Sequence, residues 1–376
     1  MCGIAVVLAR APEVVIVDPK DAAESVGLRY VTVEQAGIQR RKSGRGFRYL
    51  NPDGTTVTDA QVLRRIRAIV IPPAWTDVWI CRSANGHVQA AGRDAKGRKQ
   101  YRYHPAFRDV RDSSKYEHMI AFAHALPGIR AKVRQHMALR GLPREKVLAT
   151  VVHLLEATLI RVGNDDYVRQ NDSYGLTTLK NRHLAIDGAQ LRFRFKGKSG
   201  KQWSVTIQNR RVAKVLRACQ ELPGQELLQY VNDAGECVDI TSADVNTYLR
   251  EISAADITAK DFRTWAGTVL AALALREFAT FDSAAMAKKN IRAAIEKVAV
   301  RLGNTPTICR RCYIHPALID TYLEGSLLLD VKGQAESELR YEIEGLTPEE
   351  AAVLVCLRAA IDTATRSAAV PAGQAA

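Results

Sequence analysis

No stretch of this 376-residue chain approaches the roughly 18–20 consecutive apolar residues that cross a bilayer, so the sequence predicts no membrane-spanning helix. The opening MCGIAVVLARAPEVVIVD is apolar, but it has no basic start and no clear cleavage site, which argues against a secretory signal. A disulfide framework is missing too. Seven cysteines, an odd number scattered over a long chain, point to a reducing, cytoplasmic setting. No internal repeat is visible. Acid is in short supply: 40 Asp and Glu stand against 54 Lys and Arg, a net charge of +14. With 47% hydrophobic and 25% charged residues the composition is otherwise that of a globular protein.

The excess charge fits a polyanion partner. Basic residues crowd between Arg40 and Arg108, in RRKSGRGFRYL and GRDAKGRKQYRYH, which read as basic loops interleaved with tyrosines. Such loops suit phosphate neutralisation plus contacts to sugars or bases. No basic amphipathic helix accompanies the charge, so nucleic acid is favoured over a membrane surface.

The local pattern divides the chain. LRYVTV, GFRYL, AIVIPPAWTDVWICRS and HVQAAGRD are short β-branched or aromatic runs set off by Pro-Asp-Gly, Pro-Pro and Asn-Gly turns, with one helix from Asp59 to Ile69. From Ser114 the texture becomes helical. Arg144 to Ile160 spaces Val147, Val151, Leu154, Leu155 and Leu159 as a buried helix. A β insert follows (HLAID, LRFRF and WSVTIQ, the last two joined by KGKSGK), and helices resume from Asn209 to the end. The expected class is α+β: a β-rich N-terminal domain (1–112), a larger mainly helical domain with a β-hairpin insert (113–343), and a C-terminal helix and tail (344–376). The stretch TATRSAAVPAGQAA is expected to be disordered.

TPTICRRCYI carries Cys309 and Cys312 at C-x-x-C spacing, with His315 nearby. Zinc needs four ligands, and the remaining cysteines show no paired spacing. A thioredoxin-like site expects a βαβ unit before it, which is absent. Thr305 and Pro306 form an N-cap and N1 pair that starts a short helix, and Pro316 stops it near Ile314. Tyr313 therefore ends that helix behind Arg310 and Arg311. Such a tyrosine either contacts phosphate at the surface or acts as a nucleophile, if cations and donors lower its effective pKa from ~10.

Three further stretches bear on that choice. Arg161 ends the buried helix, an expensive place for a lone cation unless it points into a site. Lys198 sits at the tip of the FKGKSGK hairpin. Arg263 lies in the first turn of an apolar helix, close to Lys260. Singly each is an ordinary solvated or salt-bridged cation; in this order, with a tyrosine near the end, they are specific.

PPAWTDVWI, GRKQYRYH, RVGNDDY, YGLTTLKNRH, FKGKSGK, KDFRTWAG and GNTPTICRRCY, taken in order, resemble the type IB DNA topoisomerases of the poxvirus-like and bacterial kind, from about Val31 to Leu327. The resemblance implies Tyr313 as nucleophile with Arg161, Lys198 and Arg263 as catalytic partners, and a C-shaped clamp closing around duplex DNA. It implies DNA contacts from Tyr101, Tyr103, Arg98 and Lys99 in the first domain. In the second it implies them from Tyr167, with Lys260 and Arg311 as further basic neighbours. One position departs from the pattern: Asn304 stands where the family has histidine. An amide can replace it if the role is hydrogen-bond donation to a phosphate oxygen, though not if it moves a proton. Cys309 and Cys312 fall where relatives carry small residues. No metal or cofactor is implied, and a monomer is expected.

Rival readings are weaker. MCGI imitates the N-terminal Cys2 of glutamine amidotransferases, but the next hundred residues turn basic instead of building the required sheets. A tyrosine recombinase would carry a helical domain in place of the strands before Asp112. A non-catalytic DNA-binding protein would not need Arg161, Lys198, Arg263 and Tyr313 together.

Overall fold

The computed structural model describes residues 18–95, 97–278, 281–327 and 345–369, without the side chains of 111–117 and 361–369. The fold mixes helices and small sheets, in two compact units divided after His118.

The first unit starts with α1 (Pro19–Glu24) and is built on an antiparallel sheet of β1 (Ile38–Ser43), β2 (Gly46–Leu50), β3 (Thr76–Ile80), β4 (Val88–Arg93) and β5 (Lys99–Tyr103), in the order β2-β1-β3-β4-β5. Helix α2 (Ala60–Ala68) is capped by the Asp59 carboxylate, which accepts from Gln61 N at 2.7 Å and Val62 N at 3.2 Å. It presses Ile66 onto Ile38, Val57, Val78, Ile80 and Ala90 to form the core.

GFRYL is strand β2, as expected, but the RRKS before it, read as a basic loop, is strand too, so RRKSGRGFRYL is a regular β1–β2 hairpin. Ser43 pairs with Gly46, and Gly44 at φ +55° supplies the left-handed residue that a two-residue turn requires. Its Arg40 is also no phosphate ligand. It is buried, donates to the carbonyls of Trp75 at 2.6 Å and Pro72 at 3.0 Å, and lies 4.1 Å from the Phe47 ring centroid. LRYVTV, in turn, makes only a single bridge, Arg29 to Gly86, with Val31 N donating to His87 Nδ1 at 3.0 Å.

Helix α3 (Pro105–His136) begins nine residues before the Ser114 at which the sequence turns helical, and Asp112 lies inside it. In the second unit α4 (Arg144–Thr158) is buried along most of its length and ends at Leu159 in a left-handed conformation, φ +58°. Exposed α5 (Asp165–Asn171) precedes a sheet of β6 (Leu184–Asp187), β7 (Gln190–Lys196) and β8 (Gln202–Gln208). In β7, Leu191, Phe193 and Phe195 alternate inward, as LRFRF predicts.

The remaining helices are α6 (Arg210–Gln220), α7 (Ser242–Ser253), α8 (Ala259–Arg276), α9 (Ala284–Leu302), α10 (Pro306–Cys312), α11 (Pro316–Leu323) and α12 (Pro348–Ala369). A small hairpin of β9 (Gln229–Val231) and β10 (Cys237–Asp239) interrupts them, which the sequence did not suggest. Helix α12 also runs through 363–369, part of the tail expected to be disordered, while 370–376 lie outside the described residues. Helices α8 to α11 share one core, including Ala271, Leu302, Ile314 and Leu318.

Candidate active site

The site begins where α4 ends. After left-handed Leu159 the chain runs straight into Arg161, whose carbonyl accepts from Leu176 N at 2.9 Å. Gly163, at φ +111°, packs so tightly on Gly175 that a Cβ on the latter would meet Gly163 Cα and N and Arg161 O at 2.6 Å. RVGNDDY and YGLTTLKNRH are thus the two sides of one close backbone crossing that only glycines allow. The crossing fixes where Arg161 leaves the main chain.

Arg263 comes from the first turns of α8, whose N-terminus is closed by a Thr258–Asp261 capping box. Only 4% exposed, it donates from Nη1 to Leu159 O and from Nη2 to Leu302 O at 2.7 Å, and its Nε is buried without a partner. Its guanidinium carbon lies 5.5 Å from the Tyr313 ring centroid. Burial pulls Arg263 down to about 10 and the charge of Arg161 adds to this, while Tyr313 opposes it. It stays a cation at neutral pH. Among the described residues, neither Arg161 nor Arg263 has a carboxylate partner, so their charge is left for an anion.

Asn304 follows the left-handed α9 cap Gly303, at φ +59°. Its Oδ1 accepts from Arg161 Nη2 at 2.5 Å, which turns Nδ2 away, buried and without a hydrogen-bond partner. Cys309 lies beside this cluster and is fully buried. Burial pushes its thiol up, against the pull of Arg263, Asn304, Lys201 and Arg161. Cys309 joins the α8–α11 core, and Cys312 is half-buried one turn further on.

Tyr313 caps α10, which starts at Thr305 and Pro306 as its sequence predicts. A Cβ on Gly267 would meet Tyr313 O at 2.6 Å and Tyr313 Cβ at 2.9 Å, so α8 touches Tyr313 through bare backbone. The next residue, Thr268, donates its hydroxyl to Tyr313 O and accepts from His315 N, both at 3.2 Å. Arg161, Asn304, Arg263 and Tyr313 are therefore one constellation. Two cations, a spare amide donor and a phenol suit a phosphodiester, whose reaction adds charge to oxygens that such donors can hold. Lys198 stands apart from these four: it is exposed at the hairpin tip, its ammonium 5.7 Å from the Tyr167 ring centroid.

A family model described as eukaryotic DNA topoisomerase I, catalytic core, matches residues 104–326. A second, bacterial DNA topoisomerase IB, N-terminal domain, matches residues 46–94. The DNA topoisomerase 1B of Acanthamoeba polyphaga mimivirus is 30% identical over 293 residues, covering 76% of this chain and 87% of the viral protein. This chain belongs to the type IB DNA topoisomerase family. Vaccinia virus (strain Copenhagen) DNA topoisomerase 1B is a more distant relative, 24% identical over 290 residues, 74% of this chain and 87% of its own.

The other topoisomerase residues picked from the sequence have varied surroundings. Tyr101 is 39% exposed, stacks on Tyr103 at 5.9 Å, and carries the Lys99 ammonium 5.6 Å from its ring. Tyr103 is partly committed to packing, against Phe107 at 5.6 Å. Arg98 is ion-paired with Asp94 at 2.7 Å, so a phosphate would have to compete for it. Tyr167, Lys260 and Arg311 are exposed. Sequence reasoning missed Lys201, whose Nζ donates to the Asn304 carbonyl at 2.9 Å, and the Gly267–Thr268 seat of Tyr313. The third lysine of KGKSGK and the small pair in WAGT were the available signals.

Proposed function

We propose that this protein relaxes supercoiled duplex DNA through a transient 3′-phosphotyrosyl bond to Tyr313. The observation that carries the reading is the convergence of uncompensated Arg161 and Arg263, the spare Asn304 amide and Tyr313. The Tyr313 hydroxyl attacks the phosphorus, the bond to the 5′-oxygen breaks, and the phenolic proton leaves to solvent. Arg161 and Arg263 hold the equatorial oxygens by charge-assisted bonds, and Asn304 Nδ2 adds a neutral donor. The departing alkoxide needs a proton, and Lys198 is the general acid, an effect worth about 100- to 10,000-fold. Lys198 reaches its oxygen by leaving the Tyr167 ring, a swing that a flexible four-carbon stem permits.

The phosphotyrosyl ester conserves the energy of the broken bond, so the free 5′-hydroxyl re-forms the strand without ATP. In between, the cut strand swivels about the intact one. Side chains neutralise the charge, so no metal is needed for the chemistry. The family's clamp around duplex DNA, contacts from Tyr101, Tyr103, Arg98, Lys99, Tyr167, Lys260 and Arg311, a monomeric state and the domain limits 1–112, 113–343 and 344–376 belong to the same proposal.

The test is relaxation of supercoiled plasmid in EDTA with no ATP. Wild type should relax it and Tyr313→Phe should not. Relaxation by Tyr313→Phe, or none by wild type, would sink the proposal.

A further inference from the structure

Lys201, three residues beyond Lys198, is at the foot of β8 and touches the site in two ways. Its carbonyl accepts from Gly197 N at 2.7 Å, closing the turn that carries Lys198. Its ammonium donates to the Asn304 carbonyl at 2.9 Å. Two residues later the Trp203 indole fills the space over two glycines. A Cβ on Gly303 would meet Trp203 Cζ2 at 2.5 Å, and one on Gly197 would meet its Cδ1 at 2.6 Å. Gly303 precedes Asn304, and Gly197 precedes Lys198. Trp203 is itself steadied by stacking on Phe195, ring centroids 6.1 Å apart and planes 5° from parallel.

The β7–β8 hairpin is therefore fastened to the Gly303–Asn304 turn at two points. One is apolar and broad, the other polar and directional. The apolar contact sets the distance between hairpin and turn, but a flat ring over bare glycine backbone leaves sliding open. A charge-assisted bond from one ammonium to one carbonyl resists that sliding. It acts on the main chain of Asn304, whose side chain is already held by Arg161.

We infer that Lys201 is a positioning residue for the cleavage reaction: by gripping the Asn304 carbonyl it keeps the Lys198 hairpin aligned with the donors that hold the phosphate. The inference rests on the proposed role of Lys198 as general acid. Lys201 itself contacts main chain, so its loss acts through the placement of Lys198. A misplacement of about 1 Å costs up to about 100-fold in rate, and an acid that no longer reaches forfeits part of its 100- to 10,000-fold effect.

The experiment is single-turnover cleavage of two duplex oligonucleotides, one with the normal 5′-bridging oxygen at the scissile phosphate and one with sulfur there. A thiolate leaves without being protonated, so the sulfur substrate removes the acid step from the measurement. Lys198→Ala should be slow on oxygen and near wild type on sulfur. Equal slowing on both would remove the general-acid reading, and this inference with it. Lys201→Met should be about 10- to 100-fold slower on oxygen and restored on sulfur. Lys201→Arg, which keeps a charged donor, should recover most of the oxygen rate. The Lys198→Ala/Lys201→Met double variant should be no slower than Lys198→Ala alone. With Lys198→Ala behaving as expected, three results would each overturn the role of Lys201. These are no slowing by Lys201→Met, equal slowing on both substrates, or multiplied losses in the double variant.

Discussion

Replacing Gly267 by alanine separates stability from catalysis at the seat of the nucleophile. Gly267 lies inside α8, where alanine is intrinsically better than glycine by about 1 kcal/mol. Its new methyl would stand 2.6 Å from the Tyr313 carbonyl oxygen, 2.9 Å from Tyr313 Cβ and 3.2 Å from Leu302 Cδ1. The Leu302 methyl can give way by a small rotation. The Tyr313 backbone can reach an ordinary 3.4 Å contact only by shifting about 0.8 Å. Overpacking of this kind costs about 1–3 kcal/mol, which largely cancels the helix gain and leaves the folded state within about 2 kcal/mol of wild type. The rate has no such compensation. A displacement near 1 Å costs about 100-fold, equivalent to about 2.7 kcal/mol of barrier. The assay pairs a denaturant melt with single-turnover formation of the covalent protein–DNA adduct. A folded Gly267→Ala protein that forms adduct at the wild-type rate would refute the argument that α8 sets the position of Tyr313.

Asn304→Ala removes one donor from the phosphate site and should slow adduct formation by roughly 100-fold, whereas Asn304→His should preserve it or raise it; abolished cleavage by a folded Asn304→His protein would show that the site is built differently. Arg130 donates to Glu156 at 2.6 Å and twice to Glu350 at 2.8 Å, so Arg130→Met should leave two uncompensated carboxylates and lower stability by about 3–5 kcal/mol. An unchanged unfolding midpoint would contradict that. His153 is lowered from 6.5 by burial, which outweighs the opposing Glu156, and its Nε2 lies 3.0 Å from Asn209 Nδ2. Because its folded value is below the unfolded one, its stabilising contribution is complete above pH 6.5 and fades as pH falls through that value toward the folded one. His153→Gln should flatten the acid limb of a stability–pH curve, and an identical limb would remove His153 as its cause.

Much of the site could be read in the sequence because its parts are punctuated locally. Thr305–Pro306 starts α10 and Pro316 limits it, whereas the glycine crossing between RVG and YG joins residues distant in the chain and showed only in the structure. The helices over Asp59–Ile69 and Arg144–Ile160 were legible for similar reasons, a capping carboxylate in one and continuous apolar spacing in the other. Charge was harder to interpret. Arg40 reads as a phosphate ligand in a basic run, yet long-range folding brings three carbonyls of the 71–75 loop around it. β1 was missed because its hairpin with β2 lies at the sheet edge and buries only Ile38 and Arg40 within the strand, leaving little alternation to see. Lys201 was passed over for the opposite reason. Its partner is a backbone carbonyl 103 residues away, and no local pattern announces that.

The central claim is that the oxygen of Tyr313 makes the bond to DNA. The most direct measurement digests the denatured covalent complex with protease and locates the DNA-bearing residue by mass spectrometry. The account predicts a single modified peptide joined through Tyr313 to a 3′-phosphate, with a free 5′-hydroxyl on the released strand. DNA attached to any other residue, or a 5′-phosphate linkage, would contradict it.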